Sequence, residues 1–108
     1  MKDFYDPEIK EERCGLLLED GEIIETKNVH PEPDKGFEID PKVILERLGD
    51  ITGTWHTHPN KDSILSEDDI ICYRAWPDLD HFILGRDGIR KYVVNDRGVV
   101  IVADYTSW

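Results

Sequence analysis

Short apolar runs separated by turn-forming residues constrain the fold of this chain more than any other feature. The runs are too short for typical helices but have the usual length of strands. Asp20-Gly21 lies between two of them and is a strong signal for a tight hairpin, while Pro59 closes a third because proline cannot donate to a central ladder. The predicted strands cover 14–19, 22–29, 51–58, 81–84, 89–94 and 99–102. We therefore expect a mixed, largely antiparallel sheet.

Two helices are predicted between these strands. The first begins at Asp40 and ends at Gly49, with Ile44 and Leu48 one turn apart on its apolar face. The second covers 66–76 and is stopped by the proline that follows it. The expected fold class is α/β, with a sheet packed by two helices.

Asp6-Pro7, near the amino terminus, is predicted to start only one short helical turn, because an apolar run follows closely. A chain of 108 residues is expected to form a single domain over 1–108.

Two cysteines are too few for a framework of disulfide bonds, so Cys14 and Cys72 are expected to be reduced. With no apolar stretch of signal-peptide or membrane-span length, the expected location is the cytoplasm.

The charge of the chain bears on its partners. There are 24 acidic and 13 basic side chains, which gives a formal net charge of −11. This excess opposes phosphate backbones and anionic membrane surfaces, so neither nucleic acid nor a membrane is an expected partner. It favours instead a substrate with basic residues, which should associate faster at low salt.

His56 and His58 are candidate metal ligands. They lie two residues apart in a predicted strand, so both side chains point to the same face. An H-x-H pair alone is more often a surface or structural feature, and further ligands are needed. Asp69 supplies a third candidate, and the resulting N,N,O set suits zinc with a fourth position left for water. Ser66 and Asp69 also fit a capping box, which is the structural interpretation of the same residues.

Two separated motifs occur in a specific order. The first is Glu12-Arg13-Cys14-Gly15, an E-x-C-G, and the second is H-x-H-P-x6-S-x-x-D, which runs from His56 to Asp69. Together they resemble the JAMM (MPN+) family of zinc peptidases, in its minimal bacterial or phage-tail-like branch, over about residues 10 to 85. The resemblance implies a curved mixed sheet between helices, related to the cytidine deaminase architecture.

The resemblance also implies roles for individual residues. His56, His58 and Asp69 would hold one Zn²⁺ with a bound water, Glu12 would act as general acid and base, and Ser66 would assist the oxyanion. Zinc lowers the pKa of a bound water from 15.7 to about 7, and a carboxylate that takes this proton can return it to the leaving amine. A serine at a helix N-terminus is well placed to donate to an oxyanion.

The expected function is therefore hydrolysis of a peptide or isopeptide bond, at the C-terminal tail of a ubiquitin-like protein or domain. The alternative is a non-catalytic assembly or binding module stabilised by zinc, such as a phage tail-assembly component. A zinc deaminase is disfavoured because the sequence has no P-C-x-x-C pair of ligands.

Other conspicuous residues are expected to be structural. His30 and His81 lack ligand-spaced partners, and Cys14 and Cys72 are expected to pack. Trp55 should point to the sheet face opposite His56 and pack under a helix.

Overall fold

A computed structural model describes residues 2–105. These residues form one mixed sheet of six strands with two α-helices. The elements in chain order are a 3₁₀ turn at Lys2–Phe4, β1 (Cys14–Leu18), β2 (Ile23–Thr26), α1 (Pro41–Glu46), β3 (Ile51–Thr57), α2 (Glu67–Ala75), β4 (Asp80–Gly85), β5 (Gly88–Asn95) and β6 (Gly98–Tyr105). None of the helices in this part of the chain has the length and apolar character needed to cross a membrane.

The sheet has the strand order β2-β1-β3-β4-β5-β6. Only the β3–β4 pair is parallel among these neighbours, and the other four pairs are antiparallel. The predicted α/β class and the largely antiparallel character of the sheet are therefore confirmed. β3 lies in the interior of the sheet, and the register sets its His56 between Cys14 of β1 and Ile83 of β4.

The second and third strands are shorter than predicted. β2 ends at Thr26 rather than at residue 29, because the side chain of Asn28 turns inward and donates to the carbonyls of Glu12 (2.8 Å) and Gly36 (3.0 Å). β3 ends at Thr57, so His58 follows the strand instead of belonging to it.

The first helix is also shorter than predicted. Asp40 caps it as expected, accepting a hydrogen bond from the amide of Lys42 at 3.0 Å. The helix ends at Glu46, because the amide of Arg47 bonds to the Ile44 carbonyl three residues back and the chain tightens into turns. Ile44 is buried, but Leu48 is 52% exposed and does not join the apolar face.

The predicted helical turn at Asp6-Pro7 is wrong. Asp6 instead closes a turn, in which its carboxylate accepts from the amide of Glu8 at 2.9 Å and its carbonyl accepts from Ile9 at 3.1 Å. Aspartate readily makes this local side-chain bond, which competes with helix formation.

Trp55 is fully buried on the sheet face opposite His56, as predicted, but it packs on the 3₁₀ turn rather than under an α-helix. Its ring centroid lies 4.6 Å from that of Phe4, and its Nε1 donates to the Ile24 carbonyl at 3.1 Å. Gly15 makes this approach possible, since a Cβ there would stand 1.9 Å from the Ile24 oxygen and 2.5 Å from the indole nitrogen.

The main core lies on the other face, between the sheet and the two helices. Its buried residues are Cys14, Leu16, Leu18, Phe37, Ile39, Ile44, Ile51, Tyr73, Leu79, Ile83 and Tyr92. His56 points to this face as well, so the predicted metal ligands lie at the edge of the core, beside α2.

Candidate metal centre

The two histidines converge at the end of β3. The Nε2 atom of His56 lies 3.0 Å from the Nε2 atom of His58, and both rings are buried. The bond from the His58 amide to the Leu84 carbonyl, at 2.8 Å, continues the pairing with β4 for one residue and keeps the second ring close to the first.

Asp69 completes a three-residue cluster. It lies in the first turn of α2, with Oδ1 3.1 Å from His56 Nε2 and Oδ2 3.2 Å from His58 Nε2. The same residue forms the capping box: its amide donates to Ser66 Oγ at 3.2 Å, and its Oδ2 accepts from the Ser66 amide at 2.9 Å. The metal-ligand and capping interpretations of Asp69 are therefore compatible. We call His56, His58 and Asp69, as candidate ligands of a metal ion, the metal centre.

The spacing of the two histidine nitrogens fits a tetrahedral metal ion. Zinc with ligand bonds of about 2.0–2.1 Å has neighbouring ligand atoms about 3.3 Å apart. The separation of 3.0 Å between the two histidine nitrogens is close to that edge length. Each nitrogen has a different Asp69 oxygen beside it, Oδ1 at 3.1 Å for His56 and Oδ2 at 3.2 Å for His58.

The remaining ring nitrogens support the same interpretation. His58 Nδ1 lies 3.1 Å from the Asp62 carbonyl, which can only accept, so this nitrogen carries a hydrogen and the neutral ring has its lone pair on Nε2. His56 Nδ1 lies 3.3 Å from the Tyr73 hydroxyl. Such hydrogen bonds orient imidazole ligands in metal sites. The Nε2 atoms of both rings point at Asp69, and either a proton or a metal ion at this position satisfies the cluster.

Glu12 stands beside the metal centre, just before β1. Its Oε1 is 4.0 Å from His56 Nε2 and, within residues 2–105, is the one buried side-chain oxygen or nitrogen without a hydrogen-bond partner. A buried polar atom of this kind is costly unless a water, ion or ligand satisfies it. Donor atoms of Glu12, His56 and His58 all lie within 4.8 Å of one another, so these buried residues could hold a metal ion together.

The pKa values of the two carboxyl groups in the site are shifted in opposite directions. Burial raises the pKa of Glu12 to about 7, with the charge of Asp69 adding to the effect and His58 opposing it. Burial acts in the same direction on Asp69, but the two histidines and the Ser66 amide outweigh it and hold the pKa of Asp69 below its usual range. The Glu12 carboxyl group, with a pKa of about 7, thus changes protonation near neutral pH, whereas the Asp69 carboxylate stays ionised.

The two histidines are also shifted in opposite directions. Burial lowers the pKa of His56, which favours the neutral form that binds metals. Burial acts to lower the pKa of His58 too, but Asp69 more than compensates and raises it.

A cavity of about 250 Å³ opens next to the metal centre. We call it the side cavity, and its walls are formed by Glu12, Lys35, His58, Lys61, Asp62, Ile64, Leu65 and Ser66. Ser66 Oγ accepts the hydrogen bond from the Asp69 amide, so its own hydroxyl hydrogen can donate to a group bound in the cavity. All five predicted site residues, Glu12, His56, His58, Ser66 and Asp69, therefore meet in one region of the fold.

Sequence reasoning missed two residues that contact His56. Phe37 stacks on its ring with centroids 3.9 Å apart, and the Tyr73 hydroxyl approaches its Nδ1. Tyr73 follows Asp69 by four residues, so helical periodicity could have placed it on the same face of α2. Phe37 carries no comparable signal, because its position depends on how the whole segment 28–39 folds back.

The other histidines and cysteines lie outside the metal centre. His81 is fully buried, with Nε2 donating to the Trp76 carbonyl at 3.0 Å and Nδ1 2.7 Å from the Thr54 hydroxyl, which makes it a structural residue. Cys14 and Cys72 are both free, and burial raises the pKa of each to about 11. Both are therefore packing residues and poor nucleophiles.

Comparison with known proteins supports the fold. No protein-family model matches the chain. A search of curated proteins also finds no match. Among solved structures, the solution structure of protein DSY2949 from Desulfitobacterium hafniense is similar, with a TM-score of 0.68 and 23% sequence identity over 87% of this chain and 77% of that one. At this identity the likeness shows that the two chains share a fold.

Proposed function

We propose that this protein is a zinc metallopeptidase of the JAMM type that hydrolyses a peptide or isopeptide bond. The observation that carries the proposal is the convergence of His56, His58 and Asp69 within 3.0–3.2 Å of one another, beside a buried and unpartnered Glu12 oxygen. The order of the two sequence motifs adds to it. The substrate we propose is the C-terminal tail of a ubiquitin-like protein or domain.

The role that we propose for each residue follows from its position in the site. His56, His58 and Asp69 would hold the zinc ion, which supplies a Lewis acid and makes water a nucleophile near neutral pH. Three protein ligands leave one position for exchangeable groups. Ser66 would donate its hydroxyl hydrogen to the substrate carbonyl oxygen as negative charge develops there, aided by the N-terminus of α2.

Glu12 would hold and move the proton. Its Oε1 is 4.0 Å from His56 Nε2, beyond the ligand-to-ligand spacing of about 3.3 Å in a tetrahedral site, which suits a base acting on a neighbouring water better than a fourth ligand. A carboxyl group that changes protonation near pH 7 can take a proton from water and give it to the leaving amine.

The decisive experiment is the Glu12→Gln variant. We expect it to bind zinc as the wild-type protein does, measured by calorimetry, and to lose at least about a hundredfold in cleavage of ubiquitin-like fusion proteins. Products are identified by mass spectrometry, and Glu22→Gln, an exposed residue of the β1–β2 turn, is the matched control. Cleavage by Glu12→Gln at the wild-type rate would show that Glu12 is not the general base.

A second candidate function is a zinc-stabilised assembly module, and the grouping of Glu12 with the two histidines favours it. If Glu12 were a fourth ligand, the site would be closed and structural. The same variant separates the two functions, because Glu12→Gln would then weaken zinc binding and lower the melting temperature of the loaded protein.

A further inference from the structure

Two lysines line the side cavity together with proposed catalytic residues. Lys35 and Lys61 share its walls with Glu12, His58 and Ser66. This is notable in a chain with only 13 basic side chains and a net charge of −11. The charge of Lys61 is also close enough to Glu12 to act on the pKa of that carboxyl group, which it lowers.

Both lysines belong to segments fixed to the site. The Lys61 amide donates to the His58 carbonyl at 3.2 Å, and the Lys61 carbonyl accepts from the Arg86 amide at 2.8 Å. On the other side, the Glu12 amide donates to the Pro33 carbonyl at 2.7 Å, which holds the segment that carries Lys35 against the site. The backbone of both lysines is thus held beside the cavity that their side chains line.

The charges of the cavity leave these ammonium groups available. Asp62 is paired with Arg86 at 2.9 Å, and Glu12 faces the metal centre. Lys35 pairs with Glu32 at 3.8 Å, but both side chains are more than 60% exposed, and such a pair is easily exchanged. Lys61 forms no ion pair with any side chain of residues 2–105 in this structure.

We propose that the side cavity binds a carboxylate of the substrate, next to the bond to be cleaved. This inference rests on the proposed function and names its substrate class: a peptide with a free C-terminal carboxylate, or with an acidic side chain, adjacent to the scissile amide. The cavity of about 250 Å³ is smaller than the range of about 300–1,000 Å³ typical of drug-sized pockets and suits a single residue.

The substrate charge preferred inside the cavity differs from the charge that the whole chain attracts from a distance. The acid excess of the whole chain attracts basic substrates from a distance, whereas Lys35 and Lys61 select an anionic group at contact. The two effects are distinguishable, because contact selection changes with substitution of either lysine.

A pair of hydroxamates tests the proposal without requiring turnover. Succinic acid monohydroxamate and its terminal amide differ only in the carboxylate, and the hydroxamate group of both is a ligand for an open zinc position. With the zinc-loaded protein, we expect calorimetry to give a Kd about tenfold lower for the carboxylate, from two ion pairs near a partly desolvated cavity. Lys35→Gln and Lys61→Gln should each remove about a factor of three, and Lys42→Gln on α1, outside the cavity, should remove none.

A competition experiment with the bound hydroxamate shows whether the carboxylate comes from a peptide C-terminus or from an acidic side chain. Three peptides are compared: one with a free C-terminus, one with a C-terminal amide, and one with an aspartate before that amide. Stronger displacement of the hydroxamate by the first peptide than by the second shows that the cavity binds the terminal carboxylate. Stronger displacement by the third than by the second shows that it binds an acidic side chain. Equal Kd values for the two hydroxamates would overturn this inference and leave the proposed function intact. Zinc binding with no affinity for either hydroxamate would overturn both, because the metal would then have no open position.

Discussion

Acidification should destabilise the metal-free protein through His81. The ring is fully buried, stacks on Tyr73 with centroids 4.0 Å apart, and makes a hydrogen bond at each nitrogen. The Trp76 carbonyl must accept, so Nε2 carries the hydrogen and Nδ1 accepts from the Thr54 hydroxyl. A second proton would turn that acceptor into a donor and place a charge in the core. Burial accordingly lowers the pKa of His81 from 6.5 to about 4.

The sign and size of the effect follow from linkage. Between about pH 6.5 and 4 the unfolded chain binds a proton at His81 that the folded chain does not, so stability falls as the pH falls through this window. The difference of about 2.5 pKa units corresponds to about 3 kcal/mol in total, of which about 2 kcal/mol is lost between pH 8 and pH 5. Glu12 acts in the opposite direction, because its raised pKa makes the folded state bind the extra proton.

The His81→Gln variant isolates this contribution. Urea unfolding of both proteins is measured at pH 8 and pH 5 with a chelator present, and the contributions of Glu12 and the other carboxylates cancel in the comparison. We expect the wild-type protein to lose about 2 kcal/mol more than the variant on acidification. The reasoning would be refuted by equal losses, or by His81 ring resonances that titrate near pH 6.5 in the folded protein.

Two further predictions concern packing and the metal centre. Gly15→Ala should lower the free energy of unfolding by about 3 kcal/mol, because its Cβ would overlap the Ile24 carbonyl and the Trp55 indole, whereas Gly49→Ala, with nothing within 4 Å, should stay within about 0.5 kcal/mol in the same urea titration. Tyr73→Phe keeps the ring but removes the hydroxyl next to His56, and should raise the zinc Kd about tenfold by calorimetry, while an unchanged Kd would show that this hydroxyl does not orient the ligand.

The parts of the fold that local patterns determine were predictable. Tight turns and short apolar runs indicated the sheet, and the cap at Ser66 set the start of α2 within one residue. Strand alternation predicted that His56 and His58 share a face; β3 ends one residue before His58, and the bond from the His58 amide to the Leu84 carbonyl keeps its ring there. The spacing of the motif predicted that Asp69 lies beside them. The α1 boundary was less accurate, because the position of Leu48 looked apolar by periodicity while the chain had already left the helix.

What the sequence did not reveal depends on contacts between distant segments. Asn28 looked like part of a strand, but it links the Glu12 and Gly36 carbonyls across the segment that carries Phe37. No local periodicity reports that Phe37 stacks on His56, or that Lys35 and Lys61 line the same cavity. These arrangements arise from loop geometry, which single-residue patterns do not encode.

The parallel pairing of β3 with β4 has a consequence for how the chain folds. Parallel neighbours need a long crossover, here residues 58–79, and closing such a connection before its contacts form slows folding. The contact between His58 and Asp69 closes about half of that crossover, a loop of eleven residues, within the same segment. Because short loops close at lower entropic cost, β4 can add to a strand–helix unit that has already formed. His58 and Asp69 of the metal centre therefore also divide the β3–β4 crossover into two shorter loops.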